Sequence, residues 1–356
     1  MYFGGRGRDA VRHLVLEVVG NSFDVVLAGQ ASRITVTVGR DASITIDDDG
    51  PGLQVRDRVG PTVEELFTTG RDTPTADGHR PHVHVAPAGV GLGPVSVLCS
   101  AVDLEIRRDG STYRQSFSRG EAATSLVRTD GAQGTGTTIR IVPDRQVFDD
   151  PTFDCDRLAD ELRELALLTP GLTTTLAVGG HEPETFGPVA DLSGLFAHAF
   201  TRRRSPSDVP APLLLSREDD DLSVDLALAW EPDGYRHEVH SYGNFTRTPE
   251  SGRHVDGLVE GLREVFGHGP VDGLMRGLKA IIHIKLVDPV FPGPTRGRLC
   301  SPEAVWAVAD TIIEQLPGAL DPELAEELRS RVPTRELVAS GTYDDDELRR
   351  RRKTPI

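Results

Sequence analysis

Glu17, Asn21 and Asp24 interrupt an otherwise apolar stretch, "LEVVGNSFDVVLAG" at 16–29. Spacings of four and three stack the three side chains on one face of a helix. A polar row of this kind is ordinarily a solvated face. Here Leu14, Val15, Leu16, Val18, Val19, Phe23, Val26 and Leu27 surround it on most other sides, which predicts a largely buried helix. Buried carboxylates and amides need partners, and a bound ligand or metal ion is one source of them.

Three further stretches could belong with this row. "DDDGPGL" places Asp48 and Asp49 at a strand end, followed by Gly50, Gly52 and Leu53. "AGVGLG" (88–93), with Gly89, Val90 and Gly91, is glycine-rich and opens a helix. "GTGTT" (134–138), with Thr137, begins a strand. Each alone is weak, because a Gly-x-Gly before a helix is most often only a tight turn.

The elements that must position these residues follow from capping and periodicity. Asp9 is a good N-cap for a helix running to about Ala28, with Gly29 as its stop. "RITVTVG" (33–39) and "SITIDDD" (43–49) alternate with period two and form a hairpin. Residues 60–94 are rich in Gly, Pro, Thr and His and read as one long loop, a functional lid. A short helix ends in "VSVLCSA" (95–101), and a hairpin over 103–118 turns at Asp109-Gly110. A strand at 136–143, an amphipathic helix at 156–168 and a strand at 173–178 complete an α+β sandwich. The Pro-, Ser- and Arg-rich stretch 202–212 reads as an inter-domain connection. Strands at 222–230, 237–244 and 278–289, with a helix at 254–267 and helices after a loop at 289–299, form a second, smaller α/β unit.

Composition narrows the class. The chain has 356 residues, enough for two domains, and 38% hydrophobic with 26% charged residues is a soluble globular balance. Apolar runs are too short for a membrane span or a secretory leader. Cys99, Cys155 and Cys300 lie far apart, without pairing or metal spacing, and fit a reducing cytoplasm. A net charge of -16 argues against wrapping a nucleic-acid backbone with this chain alone. His79, His82 and His84 form "HRPHVH" but lack a carboxylate or thiol partner at convincing spacing, which disfavours a metal site.

In order and spacing, the four stretches resemble the motifs of the GHKL ATPases, in the gyrase B and topoisomerase IV manner. "EVVGNSFDVVLAG" is similar to that family's first helix motif, "ITIDDDGPGL" to its DxGxG strand end, and "GVG" and "GTGTTIRIVP" to its lid and adenine-side strand. "HSYGNFTRTPESGRHVDGL" and "LKAIIHIKLVDPVFPGPTRGRL" resemble the transducer domain that follows. The resemblance covers about Met1 to Asp310. It implies a GHKL sandwich over 1–208 (lid about 60–94), a transducer domain of ribosomal-protein-S5-like fold over 209–325, and a charged tail over 326–356.

It also implies site roles. Glu17 would be the general base for water attacking the γ-phosphate, and Asn21 an oxygen ligand for Mg²⁺. Asp48 would accept from the adenine amino group with Thr137 assisting, while Asp24, Gly50, Gly52 and Leu53 line the base and ribose. Gly89, Val90 and Gly91 would offer backbone amides to the phosphates, Arg114 would stand at the pocket rim, and Arg296 would reach the γ-phosphate as the transducer cation.

Departures surround this retained set. Pro51 stands where the family has an arginine, and Val25 where it has an acidic residue that pairs with that arginine. The lid carries Pro87, and Pro294 and Arg296 replace the glutamine and lysine of the Gln-Thr-Lys loop. No long N-terminal arm, TOPRIM domain or catalytic tyrosine region is visible in the sequence. The expectation is therefore an ATP-driven clamp with ATP and Mg²⁺ as cofactors, a homodimer on ATP binding, and DNA or a gyrase-A-like subunit as partner. Such a polypeptide is not expected to cleave DNA by itself. Two alternatives stand beside it: a nucleotide-gated switch acting on a protein partner, and an ATP-dependent enzyme acting on a small molecule.

Overall fold

In the computed structural model, residues 5–55, 62–69, 91–152, 154–201, 209–232, 234–268, 270–292 and 296–332 are described. The polar row lies on a 20-residue helix, α1 (Arg8–Leu27). It begins a residue before Asp9 with Gly7 as N-cap, so Asp9 is a first-turn acid and not the expected cap. Asp9 instead receives Arg157 at 3.0 Å. As expected, the helix is mostly buried, and Val11, Leu14, Val15, Val18, Val19 and Phe23 are fully so.

The sheet beneath α1 is built from β1 (Arg33–Val38), β2 (Ile44–Asp48), β3 (Cys99–Arg108), β4 (Ser111–Ser118), β5 (Glu121–Ala122), β6 (Val127–Asp130), β7 (Gly136–Pro143), β8 (Thr173–Val178) and β9 (Glu184–Phe186). Its order is β5-β4-β3-β7-β2-β1-β8-β9, with β6 paired to β4. Neighbours are antiparallel except β1 with β8. The hairpin turn at Asp109-Gly110 has positive φ at both residues, as a two-residue turn of this hand requires.

Helices α2 (Val63–Thr68), α3 (Leu92–Val97), α4 (Cys155–Leu168) and α5 (Ser193–Thr201) join α1 in this unit. α2 and α3 correct the reading of 60–94 as a loop throughout; residues 56–61 and 70–90 lie outside the described residues. α2 starts with a capping box in which Thr62 and Glu65 satisfy each other's backbone amides. α4 starts on Asp154, whose carboxylate accepts from the Asp156 and Arg157 amides.

The second unit is a five-stranded sheet ordered β10-β11-β14-β12-β13. Its strands are β10 (Leu213–Glu218), β11 (Leu222–Trp230), β12 (Glu238–Gly243), β13 (Thr246–Arg247) and β14 (Leu278–Leu286), with helices α6 (Arg253–Phe266), α7 (Asp272–Met275), α8 (Glu303–Ala319) and α9 (Pro322–Ser330). β10 and α5 were not anticipated by periodicity. The two units share a third core cluster, in which Leu168, Leu192, Leu195, Phe196 and Phe200 meet Ala227, Tyr242 and Ile281. No described helix is long and apolar enough to cross a membrane.

Candidate functional site

The two faces of the nine-stranded sheet have different chemistry, and strand parity decides which residues meet α1. Ile44, Ile46 and Asp48 of β2 alternate with Thr45 and Asp47. On β7, Thr137, Ile139 and Ile141 alternate with Thr138 and Arg140. The first set faces α1 and the core; the second faces outward. Asp48 and Thr137 thus sit where an apolar sheet face ends in polar groups.

Asp48 is 2% exposed, and its carboxylate is engaged from several sides. Ser22 on α1 donates its hydroxyl to Oδ2 at 2.9 Å. The amides of Gly50 and Thr137 donate to Oδ1 at 3.0 and 3.2 Å. Burial pushes the Asp48 carboxyl above its ordinary range, opposed by these three hydrogen bonds. A carboxylate has about four lone-pair positions, so one remains for a further donor. Thr137 also accepts from the Leu53 amide through Oγ1 at 3.1 Å, which ties the segment after the Gly-Pro-Gly turn to β7.

Close backbone approach explains the glycine at 52. Gly52 has φ of 80°, and a Cβ placed on it would lie 2.7 Å from the Arg107 carbonyl oxygen. Its own carbonyl accepts from Arg108 at 2.6 Å. Gly52→Ala is therefore expected to cost about 2 kcal/mol or more of folding stability from clash and left-handed strain together. A chemical-denaturation midpoint within experimental error of wild type would refute this packing argument.

Glu17, 6% exposed, lies further up the same helix. Its Oε2 accepts from the amide of Gly91, the N-cap of α3, at 3.3 Å. Asp24 lies further along α1, and its carboxyl is pushed up to about 7, first by burial and then by the negative charge of Glu17. This gives Asp24 a defined pH signature. Below the unfolded-state pKa, near 4, both folded and unfolded states hold the proton and Asp24 contributes nothing. Between there and about 7 the unfolded chain loses the proton while the folded one keeps it, so stability falls as pH rises. Asp24→Asn should therefore raise stability at pH 8 by on the order of 2 kcal/mol and change little at pH 4. Equal gains at both pH values in thermal unfolding would refute it.

From the second unit, Arg296 comes within electrostatic reach of Glu17. Burial lowers the tendency of its guanidinium to hold a proton, and the Glu17 carboxylate counteracts this. Arg296 has φ of 52° and stacks its guanidinium 5.7 Å from the Phe291 ring centroid. A second link runs from α1 through Phe23, edge-on to Phe245 at 5.0 Å, and on to His283 at 4.7 Å.

Not every sequence candidate joins this group. Arg114 pairs with Glu105 at 2.7 Å on the outward sheet face, in a row continuing through Arg107 to Asp47. Asn21 is half-buried on α1 beside Ser22. Val25 stands against the turn: a Cβ placed on Gly50 would lie 2.7 Å from its Cγ1. Gly89 and Val90, the histidine triplet and Pro294 lie outside the described residues. Sequence reasoning missed Ser22, Arg107 and Arg108. Ser22 carried a readable signal, a hydroxyl among apolar neighbours directly after Asn21.

Comparisons with known proteins bear on the fold that carries this site. No family model matches the chain. It is 30% identical over 334 residues to the DNA gyrase B protein of Clostridium acetobutylicum, an alignment covering 88% of this chain and 52% of that protein. Its fold superposes on the ATPase domain of Thermus thermophilus gyrase B, solved in complex with an aminocoumarin, with a TM-score of 0.78 and 28% identity over 93% of this chain and 90% of that one. The ATP-binding domain of Francisella tularensis topoisomerase IV, solved with a small-molecule inhibitor, gives a TM-score of 0.74 and 25% identity over 93% and 92%. Fold and sequence together define a GHKL-type domain. Within that class the chain is similar to the ATPase domains of gyrase B and topoisomerase IV. It spans about half the length of the curated relatives it matches.

Proposed function

We propose that the chain binds ATP with Mg²⁺ across the α1 face and the β2 and β7 strand ends, and hydrolyses the γ-phosphate. The observation that carries this reading is the buried Asp48 carboxylate, held by Ser22, Gly50 and Thr137 on the same side of the sheet as Glu17. Such a carboxylate suits the exocyclic amine of adenine, while Leu53 and the glycine turn approach the base and ribose. Glu17 orients and deprotonates the attacking water, because water is a poor nucleophile and needs a fixed base within hydrogen-bond reach. Gly91, adjoining Glu17, offers an amide near the phosphates. Arg296 supplies positive charge against the γ-phosphate from the second unit.

The donor set also fits Mg²⁺. Among the described residues no group of three or more His, Cys, Asp or Glu could cage a metal ion. A single hard oxygen from Asn21, completed by phosphates and waters, is how Mg²⁺ is commonly held beside a nucleotide. When bound, the ion would neutralise phosphate charge.

On this reading, two protomers close on ATP and reopen after hydrolysis, with Arg296 and the Phe23–Phe245 contact relaying nucleotide state to the second unit. DNA or a gyrase-A-like subunit is the partner implied by the relatives. The net charge of -16 favours instead a protein partner for the clamp's output. Steady-state ATP hydrolysis by wild type and Glu17→Ala, with and without linear duplex DNA, tests both points. Hydrolysis that depends on Glu17 supports the active-site reading, and DNA stimulation decides for the topoisomerase-like partner.

A further inference from the structure

A cavity of about 330 Å³ opens where the two units meet, with neither Glu17 nor Asp48 on its wall. Leu167, Leu168 and Leu192 line it from the first unit, and Leu214, Leu215 and Leu226 from β10 and β11. Leu214 is 43% exposed, an unusual position for a large apolar side chain beside a cavity. The volume lies in the range of small-molecule pockets, which concentrate at domain interfaces.

The charged groups on the wall are both acidic. Asp191 lies at the mouth, its carboxylate already accepting from the Ser193 amide at 2.8 Å. Asp225 faces the same space from β11. The Lys285 ammonium stands 3.9 Å from Asp225, outside hydrogen-bond reach. On the neighbouring strand His283 is fully buried directly across from Asp225, with Nδ1 3.8 Å from Oδ2, and neither of its ring nitrogens has a hydrogen-bond partner among the described residues. Burial holds that imidazole neutral, its pKa pushed down to about 3, so it brings no positive charge to Asp225. Burial also raises the Asp225 carboxyl, against the opposing pull of Lys285, with Glu218 adding further negative charge. A chamber of mixed polarity, with the leucines of the first unit and Leu214 on one side and a carboxylate short of a cation at hydrogen-bond distance on the other, has a defined complement.

We propose that this cavity is a second ligand site, and that it takes a small amphipathic organic cation. The apolar body packs against Leu167, Leu168, Leu192 and Leu214, and the ammonium hydrogen-bonds to Asp225. The site is independent of the nucleotide reading, since it shares no residue with it. Because its wall comes from both units, its occupant bridges them.

Isothermal titration with phenylbutylamine, phenylbutanol and phenylbutyrate, three probes of matched body and different head, tests the proposal. Wild type should bind the amine about tenfold tighter than the alcohol and more weakly still the acid. Asp225→Asn, nearly isosteric, should shrink the amine preference to about threefold or less. Ala190→Trp at the mouth should weaken all three probes by about tenfold or more, and this variant decides the matter should Asp225→Asn fail to fold. Equal binding of amine and alcohol, no measurable amine binding, or an amine preference that survives Asp225→Asn would overturn the site; the last would mean general attraction to an acidic protein.

Discussion

Glu17→Ala should lower steady-state ATP hydrolysis by at least about 100-fold, the usual contribution of a positioned base, while nucleotide affinity stays within about threefold. Separating the two effects matters because Glu17 is buried, and loss of a buried group often reads out as unfolding. The neighbouring charges pull both ways, because the half-buried Arg296 guanidinium loses the carboxylate that offsets its burial while Asp24 loses a like charge. Glu17 raises the proton affinity of Asp24, so its removal relieves a like-charge repulsion inside the helix face. The Gly91 amide loses an acceptor at 3.3 Å, a long hydrogen bond that water can replace. The variant should therefore melt within a few degrees of wild type, and a rate loss at unchanged melting temperature belongs to the chemical step. If wild type binds ATP but turns it over no faster than Glu17→Ala, the residue is no base and the chain is better described as a nucleotide-gated binding module.

How much of this was legible in the sequence depends on the range of each interaction. The polar row of α1 was readable because three residues within two turns contradict their apolar surroundings, and helix geometry alone puts them together. The Asp109-Gly110 hairpin was readable for the same reason of locality. α2 was locally encoded too, in the Thr62–Glu65 capping box, but it lay hidden among Gly, Pro and His that argue for loop. α5 and β10 escaped because "SGLFAHAFT" and "LLLSRE" are short apolar runs without a dominant period, and burial against the partner unit decides them. The outward position of Arg114 follows from register: its strand neighbours Gln115 and Phe117 take the core face, and a buried glutamine gives no such hint. The approach of Arg296 to Glu17 is the extreme case. It joins residues from opposite ends of the chain, and only the packing of one unit on the other produces it.

Asp48→Asn should weaken ATP binding by about 100-fold and leave the fold intact. The amide can satisfy every protein partner the carboxylate has. Its oxygen can accept from the Gly50 and Thr137 amides, and its nitrogen can donate to Ser22, whose hydroxyl rotates from donor to acceptor. Burial already disfavours the charge at this position, so a neutral side chain removes a desolvation cost and stability should hold or rise. Toward the nucleotide the exchange is unfavourable, because the adenine amino group would meet an N–H donor in place of a charged acceptor. Inosine triphosphate separates this effect from a general disturbance of the pocket, since it presents a carbonyl acceptor where ATP presents the amine. Wild type should prefer ATP to inosine triphosphate, and Asp48→Asn should narrow or reverse that preference, read as a ratio of dissociation constants by titration calorimetry. A parallel loss for both nucleotides would place the defect in the turn and not in base recognition. An ATP affinity within about threefold of wild type would remove Asp48 from the adenine contact altogether.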